Sequence, residues 1–412
     1  MRGGGTKLQT IANSRASAHL LDVTRTVSRA HWQPTGIDRI ERAYIARLIY
    51  DPAPLFGLVR TKLGYLLLDD SGCQSLLEHC ETQIWQDADL LSRLLRRSDA
   101  DRARTETGLR RIALDRATPA RLTAMLKRHL PRGTAYLNTG QTQFNDRIVH
   151  ALKACEDVRI SVYLHDTIPL DFPEVQTNAS RLRFKQFFGR TDRHADLVLC
   201  NSEHTRSRVL YHADHLKDDQ VHVVMPGVPD IKLGTAPNGP WSGEAYVMAI
   251  GTIEPRKNIG FLLDLWDTFS GPDDPHLVIC GRRGWMSEDV FARLDRHPPN
   301  VHELSGLPDS AMWALLKDSC GLLFPSKAEG FGYPAIEAIR LQVPVICTPL
   351  PVFREVLGNS AIYADESDRY LWRSKVEQLT QVRRGQSGEQ YSVGSCLVPT
   401  WQEHFNLLFT LL

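Results

Sequence analysis

The segment YVMAIGTIEPRKNIGFLLDLW (246–266) consists of an apolar run, a turn that begins at a glycine, and a run long enough for a helix. The same order recurs through the rest of the C-terminal half. Apolar runs separated by single helices are typical of strands buried on both faces of a parallel sheet. The further strand-like runs are HLVIC (276–280), VHEL (301–304), GLLF (321–324), VPVIC (343–347) and a short run at 361–363. The sequence therefore predicts a doubly wound α/β domain here.

The N-terminal half repeats this alternation less regularly. Its strand-like runs are LLDVTR (20–25), GYLLLD (64–69), TAYLNT (134–139), ISVYLH (160–165), DLVLCN (196–201) and VHVVMP (221–226). A stretch rich in Gly and Pro, 231–245, separates the halves and is predicted to be a linker. We therefore predict two Rossmann-like doubly wound domains, at 1–230 and 246–390. Residues 391–412 should end in a helix after Pro399 that could pack back on the N-terminal domain.

The composition excludes several classes of protein. Of 412 residues, 24% are charged and 42% are hydrophobic, which is unlike a disordered chain, a collagen or a disulfide miniprotein. The chain has 49 Lys and Arg against 48 Asp and Glu, and this near-zero net charge argues against a nucleic-acid partner. The eight cysteines form no C-x-x-C pair and are interpreted as reduced. Without a signal-like N-terminus or a membrane-spanning apolar run, we expect a cytoplasmic protein, with the inner face of the cytoplasmic membrane as a further option.

An arginine-rich segment spans residues 93–132. It holds eleven arginines and Lys127 against four acidic residues, which is a local excess of +8. Two readings remain open: a solvated helical face, or a patch that binds the headgroups of anionic lipids.

Basic residues follow the first strand of the C-terminal half. The turn GTIEPRKN (251–258) places Arg256 and Lys257 side by side just before a helix, where two cations could clamp a diphosphate. An exposed basic loop is the alternative. A second strand end, GRRGW (281–285), also carries arginines, Arg282 and Arg283, which could be merely solvated.

The most specific stretch is PSKAEGFGYPAIEA (325–338). Two acids, Glu329 and Glu337, flank a turn that contains Gly330 and Gly332. Glycines allow a close approach of backbone N–H groups to a ligand. Glu329 would lie in the turn, where it could accept bonds from sugar hydroxyls. Glu337 would lie one turn into a helix, where it could reach a ribose diol or simply be exposed.

These motifs resemble the donor site of the retaining family 4 glycosyltransferases, the bacterial group 1 type that includes polysaccharide-assembly members. The resemblance rests on GTIEPRKN and EGFGYPAIE, about 70 residues apart. In the N-terminal half, similar segments are LDVTRTVSRAHWQPTGIDRIE (21–41), YLHDTIPLDFPE (163–174), DLVLCNSEHTRSRV (196–209) and VVMPGVP (223–229). The resemblance covers roughly residues 20–410 and implies the GT-B fold, in which two domains face each other across a cleft.

The resemblance also implies roles for individual residues. Catalytic roles fall to His165, which would face the transferred sugar, and to Lys257 and Glu329. The implied donor-binding residues are Gly251, Thr252, Arg256, Lys257, Glu329, Gly330, Phe331, Gly332 and Glu337. The acceptor side would hold Thr35, Gly36 and Asp166. One departure is visible: many relatives have arginine where this chain has Thr252, so Arg256 could substitute for it.

The implied function is retaining transfer of a hexose from a nucleoside diphosphate sugar to a carbohydrate or lipid-linked acceptor. Surface polysaccharide, either lipopolysaccharide or capsule, would be the product, with GDP-mannose the favoured donor and a UDP-sugar the other option. The alternatives are a non-catalytic nucleotide-sugar-binding or scaffolding subunit, and another retaining GT-B activity such as sugar-phosphate transfer.

No metal ion or other cofactor is expected. Two D-x-D motifs, 87–89 and 99–101, lie in charge-rich sequence away from strand ends. His212 and His215 are interpreted as surface residues.

Overall fold

The computed structural model describes residues 16–85, 87–95, 99–269, 271, 273–385, 394 and 398–412. Arg96 and Arg97 of the arginine-rich segment, Cys396 and residues 1–15 lie outside the described residues. The seven described cysteines are free thiols.

The N-terminal sheet has eight strands within the described part of the chain, in the order β4-β3-β2-β1-β5-β6-β7-β8. They are β1 (Ala18–Asp22), β2 (Leu55–Thr61), β3 (Gly64–Leu68), β4 (Asp115–Ala117), β5 (Thr134–Asn138), β6 (Arg159–Leu164), β7 (Leu197–Cys200) and β8 (Val221–Val223). The central strands pair in parallel, whereas β3 runs antiparallel to both β2 and β4. The sequence analysis missed β2 and β4.

The first predicted strand is shorter than LLDVTR, because the chain turns after Asp22. The Asp22 carboxylate accepts a hydrogen bond from the Thr24 backbone N–H (3.0 Å), and helix α1 begins at Thr24. Ten α-helices cover the described part of this domain. They are α1 (Thr24–Ser28), α2 (Gly36–Leu48), α3 (Asp70–Thr82), α4 (Leu90–Leu95), α5 (Ala100–Ile112), α6 (Leu122–His129), α7 (Asp146–Lys153), α8 (Ile168–Asp171), α9 (Asn178–His194) and α10 (Glu203–His212).

The C-terminal sheet is parallel throughout, in the order β11-β10-β9-β12-β13-β14. Its strands are β9 (Tyr246–Ile250), β10 (His276–Cys280), β11 (Val301–Leu304), β12 (Leu322–Phe324), β13 (Val345–Cys347) and β14 (Ile362–Tyr363). Its helices are α11 (Ile259–Trp266), α12 (Glu288–Leu294), α13 (Asp309–Asp318), α14 (Tyr333–Arg340), α15 (Pro351–Leu357) and α16 (Arg369–Arg383). The predicted fold class, two Rossmann-like domains facing across a cleft, is confirmed.

The stretch between the two sheets is not a free tether. The Gly234 backbone N–H donates to Ser310 O (2.9 Å), and Trp241 is only 5% exposed and packs against His302. The predicted linker, 231–245, is therefore anchored to the C-terminal domain at these two points, where burial of the Trp241 indole offsets the conformational entropy lost by the chain.

The last helix, α17 (Trp401–Leu411), packs on the N-terminal domain. His404 Nδ1 donates to Met225 O (2.8 Å), and its Nε2 accepts from the Tyr44 hydroxyl (2.9 Å). The Phe405 ring meets Tyr44 edge to face at 5.2 Å. Burial lowers the pKa of His404 to about 4, which keeps the ring neutral for this pair of bonds.

Direct bonds also join the two domains. The Glu355 carboxylate of α15 accepts from the backbone N–H groups of Glu203 (2.6 Å) and His204 (3.0 Å), at the start of α10. The Tyr333 hydroxyl donates to Gly227 O (3.2 Å). None of the helices that the structure describes is long and apolar enough to cross a bilayer.

Candidate functional site

A cavity of about 1010 Å³ lies between the two domains. In parallel α/β sheets, ligand sites form beyond the carboxyl ends of the strands, and the turns after β6, β9 and β12 reach this cavity. The structure brings together all of the residues to which the resemblance assigned a catalytic, donor-binding or acceptor-side role. The lining includes Thr35, Gly36, His165, Asp166, Gly251, Thr252, Arg256, Lys257, Glu329, Gly330, Phe331, Gly332 and Glu337.

A buried charge cluster forms one wall of this cavity. Glu329 accepts from Lys257 Nζ on Oε1 and from Arg256 Nη1 on Oε2, each at 2.5 Å, and Arg256 also pairs with Glu254 at 2.6 Å. Burial opposes ionisation of Glu329, but the two cations outweigh it and lower its pKa to about 2. Burial also lowers the pKa of Lys257, against the pull of Glu329. Both cations are therefore held in place before any ligand arrives.

Two glycines make this arrangement possible. Gly251 has φ +136°, and a Cβ there would lie 3.0 Å from Lys257 Cε. Gly330 lies against the N-terminal domain, because a Cβ at this position would fall 2.2 Å from the His165 carbonyl oxygen. Ser202 Oγ donates to Gly330 O (3.3 Å). The turn that carries Glu329 is thus held against the opposite domain.

Glu337 is buried, contrary to the alternative that it is an exposed helix residue. It is 1% exposed, pairs with Arg39 and accepts from Trp313 Nε1 (3.1 Å). Arg39 also pairs with Asp309 at 2.8 Å. Burial raises the pKa of Glu337, while Arg39 acts in the opposite direction. The acid expected to hold ribose is therefore already paired across the cleft, and a ribose must share or displace Arg39.

His165 lies at the end of β6, beneath the turn that carries Glu329. Its Nε2 donates to Thr139 O (2.6 Å), and burial lowers its pKa to about 4. The ring is therefore neutral, with only Nδ1 able to accept a proton. The next residue, Asp166, is also buried, and burial raises its pKa to about 6 against the effect of Arg256.

Thr35, which is expected on the acceptor side, has ionic partners that the sequence analysis missed. Asp38 accepts from the backbone N–H of Thr35 (2.8 Å), from Arg25 Nε (2.6 Å) and from Arg29 Nε (2.9 Å). These bonds fix the start of α2, where a Cβ on Gly36 would meet Tyr333 Cδ2 at 2.9 Å. The Thr-x-x-Asp spacing is a capping-box pattern, so the sequence carried a signal for Thr35 and Asp38.

The two arginines of GRRGW have different surroundings. Arg282 lines the cavity, and its guanidinium lies 4.5 Å from the ring centroid of Trp32, which Arg29 also approaches at 4.8 Å. Arg283 points elsewhere and pairs with Glu303 and Asp295, each at 2.7 Å. Only Arg282 therefore belongs to the candidate site.

The arginine-rich segment is not one continuous helical face. It includes α5, β4 and α6, and several of its arginines are paired within the chain. These pairs are Arg102 with Glu106, Arg104 with Asp101, Arg110 with Asp89, Arg128 with Asp115, and Arg132 with Asp157. Membrane contact stays a prediction.

Within the described residues, no three His, Cys, Asp or Glu side chains are grouped as metal ligands.

Comparisons with known proteins agree with this architecture. Residues 236–380 match the family model described as "Glycosyl transferases group 1". The "Serotype-specific mannosyltransferase WbdA" of Escherichia coli is 28% identical over 228 residues, which are 48% of this chain and 27% of that protein. The "O-antigen chain mannosyltransferase RfbU" of Salmonella typhimurium is 35% identical over 144 residues, 34% of this chain and 39% of that protein.

The "O-antigen chain mannosyltransferase B" of Escherichia coli is 29% identical over 187 residues, 42% of this chain and 49% of that protein. The matched part thus spans between a quarter and a half of these relatives. Among solved structures, Anabaena Alr3699/HepE in complex with UDP and glucose has a TM-score of 0.57 at 14% identity, over 96% of this chain and 95% of that one. The fold is GT-B.

The pair of Arg39 and Glu337 should be strongly coupled. Arg39→Met should lower the free energy of unfolding by about 3–5 kcal/mol, because it leaves Glu337 buried without its partner. Combining it with Glu337→Gln should cost less than the sum of the two single changes, as measured by a double-mutant cycle in urea. Arg104→Met, which breaks the exposed pair with Asp101, should cost less than about 1 kcal/mol. Additive costs would contradict the pairing.

A buried acid on α2 should make the protein less stable as the pH rises, whereas acid denaturation lowers stability as the pH falls. Glu41 is fully buried, accepts from the Thr26 backbone N–H (2.7 Å), and burial raises its pKa from 4.5 to about 8. Between these pH values the folded state keeps a proton that the unfolded chain has lost, so stability falls as the pH rises.

Glu41→Gln should remove this loss. Relative to the unmodified protein, the variant should gain stability as the pH rises from 5 to 8, by at most about 1.4 kcal/mol per pH unit. Urea unfolding of both proteins at each pH measures the difference, and the titration of the other buried groups largely cancels. A difference independent of pH would mean that Glu41 is ionised in the folded state.

Proposed function

We propose that this chain is a glycosyltransferase that moves a hexosyl group from a nucleoside diphosphate sugar to a saccharide or lipid-linked acceptor. The observation that carries the proposal is the buried set of Arg256, Lys257 and Glu329 at the cavity between the two GT-B domains. The match of residues 236–380 to group 1 glycosyltransferases, and relatives described as O-antigen mannosyltransferases, support surface polysaccharide synthesis as its setting.

The charges of this set suit departure of a diphosphate. Cleavage of the bond between the anomeric carbon and the phosphate oxygen leaves negative charge on the diphosphate. Arg256 and Lys257, which Glu329 holds in position, would stabilise that charge. Fixed cations in a site of low dielectric stabilise such charge without reorganising, and this is often the largest contribution to catalysis. The proposal assigns this task to the two side chains and requires no metal ion.

Retention of configuration, and with it membership of family 4, is part of the proposal. The acceptor hydroxyl would attack from the face that the diphosphate leaves, and the departing phosphate oxygen would take its proton. Neutral His165, with Nε2 committed to Thr139 O, would contact the transferred sugar and not carry charge. Glu337 would hold the ribose once Arg39 yields part of its contact.

The donor is proposed to be GDP-mannose, since the relatives are described as mannosyltransferases. A UDP-sugar is the competing donor. The competing function is a subunit that binds a nucleotide sugar without consuming it, and the difference between the two is turnover.

Lys257→Ala should abolish most turnover while the protein stays folded. Removing one donor to developing charge typically lowers turnover by a factor of about 100 to 1,000. The experiment first screens GDP-, UDP-, ADP- and dTDP-sugars by thermal shift, since a ligand at a hundred times its dissociation constant adds about 2.7 kcal/mol of stability. Release of nucleoside diphosphate from the bound sugar then measures turnover.

Lys232→Ala, an exposed lysine of the interdomain stretch, is the matched control and should behave as the unmodified protein. Turnover should persist in EDTA if no metal is needed. Unchanged turnover in Lys257→Ala would remove Lys257 from the site. Binding of a nucleotide sugar without turnover, with any acceptor or with water, would favour the non-catalytic subunit.

A further inference from the structure

A second cavity, of about 520 Å³, lies between the same two domains. Asp166 and Glu329 line both cavities, so together they form the boundary between them. The N-terminal domain contributes 166–168, 170–172 and part of α10, and the C-terminal domain contributes 327–329 and 350–352. Its volume falls in the range of about 300–1,000 Å³ that is usual for small-molecule sites.

A fixed set of polar groups lines this cavity. Asp171 accepts from Arg208 Nε (3.0 Å), from Arg208 Nη2, from His212 Nε2 (2.7 Å) and, on its other oxygen, from Thr167 Oγ1 (2.5 Å). His212, interpreted from the sequence as a surface residue, is partly exposed (19%) and bonded to Asp171. Arg208 and His212 are therefore held in one orientation.

Aromatic surface lies beside these polar groups. The Arg208 guanidinium lies 4.2 Å from the ring centroid of Tyr211. Tyr211 is nevertheless 71% exposed, and Phe172 is 38% exposed. Such rings offer apolar faces next to planar hydrogen-bonding groups, the combination that suits the C–H face and the hydroxyls of a sugar ring.

The charge of the lining favours a neutral occupant. Its acids are Asp166, Asp171 and Glu329, and its permanent cations are Arg208 and Lys327. Arg208 is already paired with Asp171, and Glu329 with Lys257 and Arg256. No cation excess remains in this lining to attract a phosphate or a carboxylate.

We propose that the second cavity binds the neutral saccharide of the acceptor, stacked on Tyr211 and hydrogen-bonded by Arg208 and His212. A saccharide there would lie next to the donor cavity, with Asp166 and Glu329 as the wall between the two. This inference rests on the proposed function, since it assigns the acceptor side of the same reaction.

The test uses methyl α-mannoside, α-mannobiose and α-mannotriose as neutral probes, and mannose 6-phosphate as an anionic one. Binding to the full chain is followed by saturation-transfer NMR in the presence of GDP or UDP, and so does not depend on turnover. Tyr211→Ala should weaken binding of at least one neutral probe tenfold or more, and Arg208→Gln should do the same. Nucleotide affinity, read from thermal shift, should change less than twofold.

Tyr370→Ala is the matched control, because Tyr370 is also largely exposed (83%) but lies on α16, away from both cavities. The inference is overturned if the unmodified protein binds none of the neutral probes, if Tyr211→Ala binds them as well as Tyr370→Ala does, or if mannose 6-phosphate binds more tightly than the neutral probes. Failure of the proposed function has a different signature, namely absence of nucleotide-sugar binding in the unmodified protein.

Discussion

Glu329 joins two turns that lie more than seventy residues apart, because its carboxylate is shared by Arg256 and Lys257. Each of the three groups would be costly to bury alone, and their mutual neutralisation makes the cluster tolerable. The cluster fixes the turn after β12 against the turn after β9. Because Gly330 follows directly and touches the His165 carbonyl, the same cluster also determines how the C-terminal domain meets the N-terminal one.

Polar contacts across the cleft close the two domains on each other. Arg39 reaches Glu337 and Asp309, and Glu355 accepts from two backbone N–H groups at the start of α10. Contacts of this kind can be exchanged for contacts with a charged ligand at modest cost, whereas an apolar interface would resist opening. A nucleotide sugar would therefore compete with bonds that the protein already makes.

The C-terminal domain could be predicted almost strand by strand, because its parallel strands are buried on both faces and appear as continuous apolar runs. In the N-terminal domain, β2 escaped notice since LFGLVRT carries a glycine and a charge, and β4 is only three residues long. The residues of the candidate site also differ in how well the sequence predicts them. Arg256, Lys257, Glu329 and Glu337 lie in local motifs, whereas the partners Arg39 and Asp309 come from distant helices that only the folded chain brings together.

The position of α17 has a consequence for motion between the domains. Since the last helix of the chain packs on the first domain, the polypeptide passes between the domains twice, once before β9 and once before α17. The two connections are adjacent where the Val228 backbone N–H donates to Pro399 O (3.0 Å). Two adjacent connections permit rotation of the domains about the line that joins them and resist rotation about other axes. The cleft should therefore open and close along a single path, returning Glu329 and His165 to the same register after each cycle.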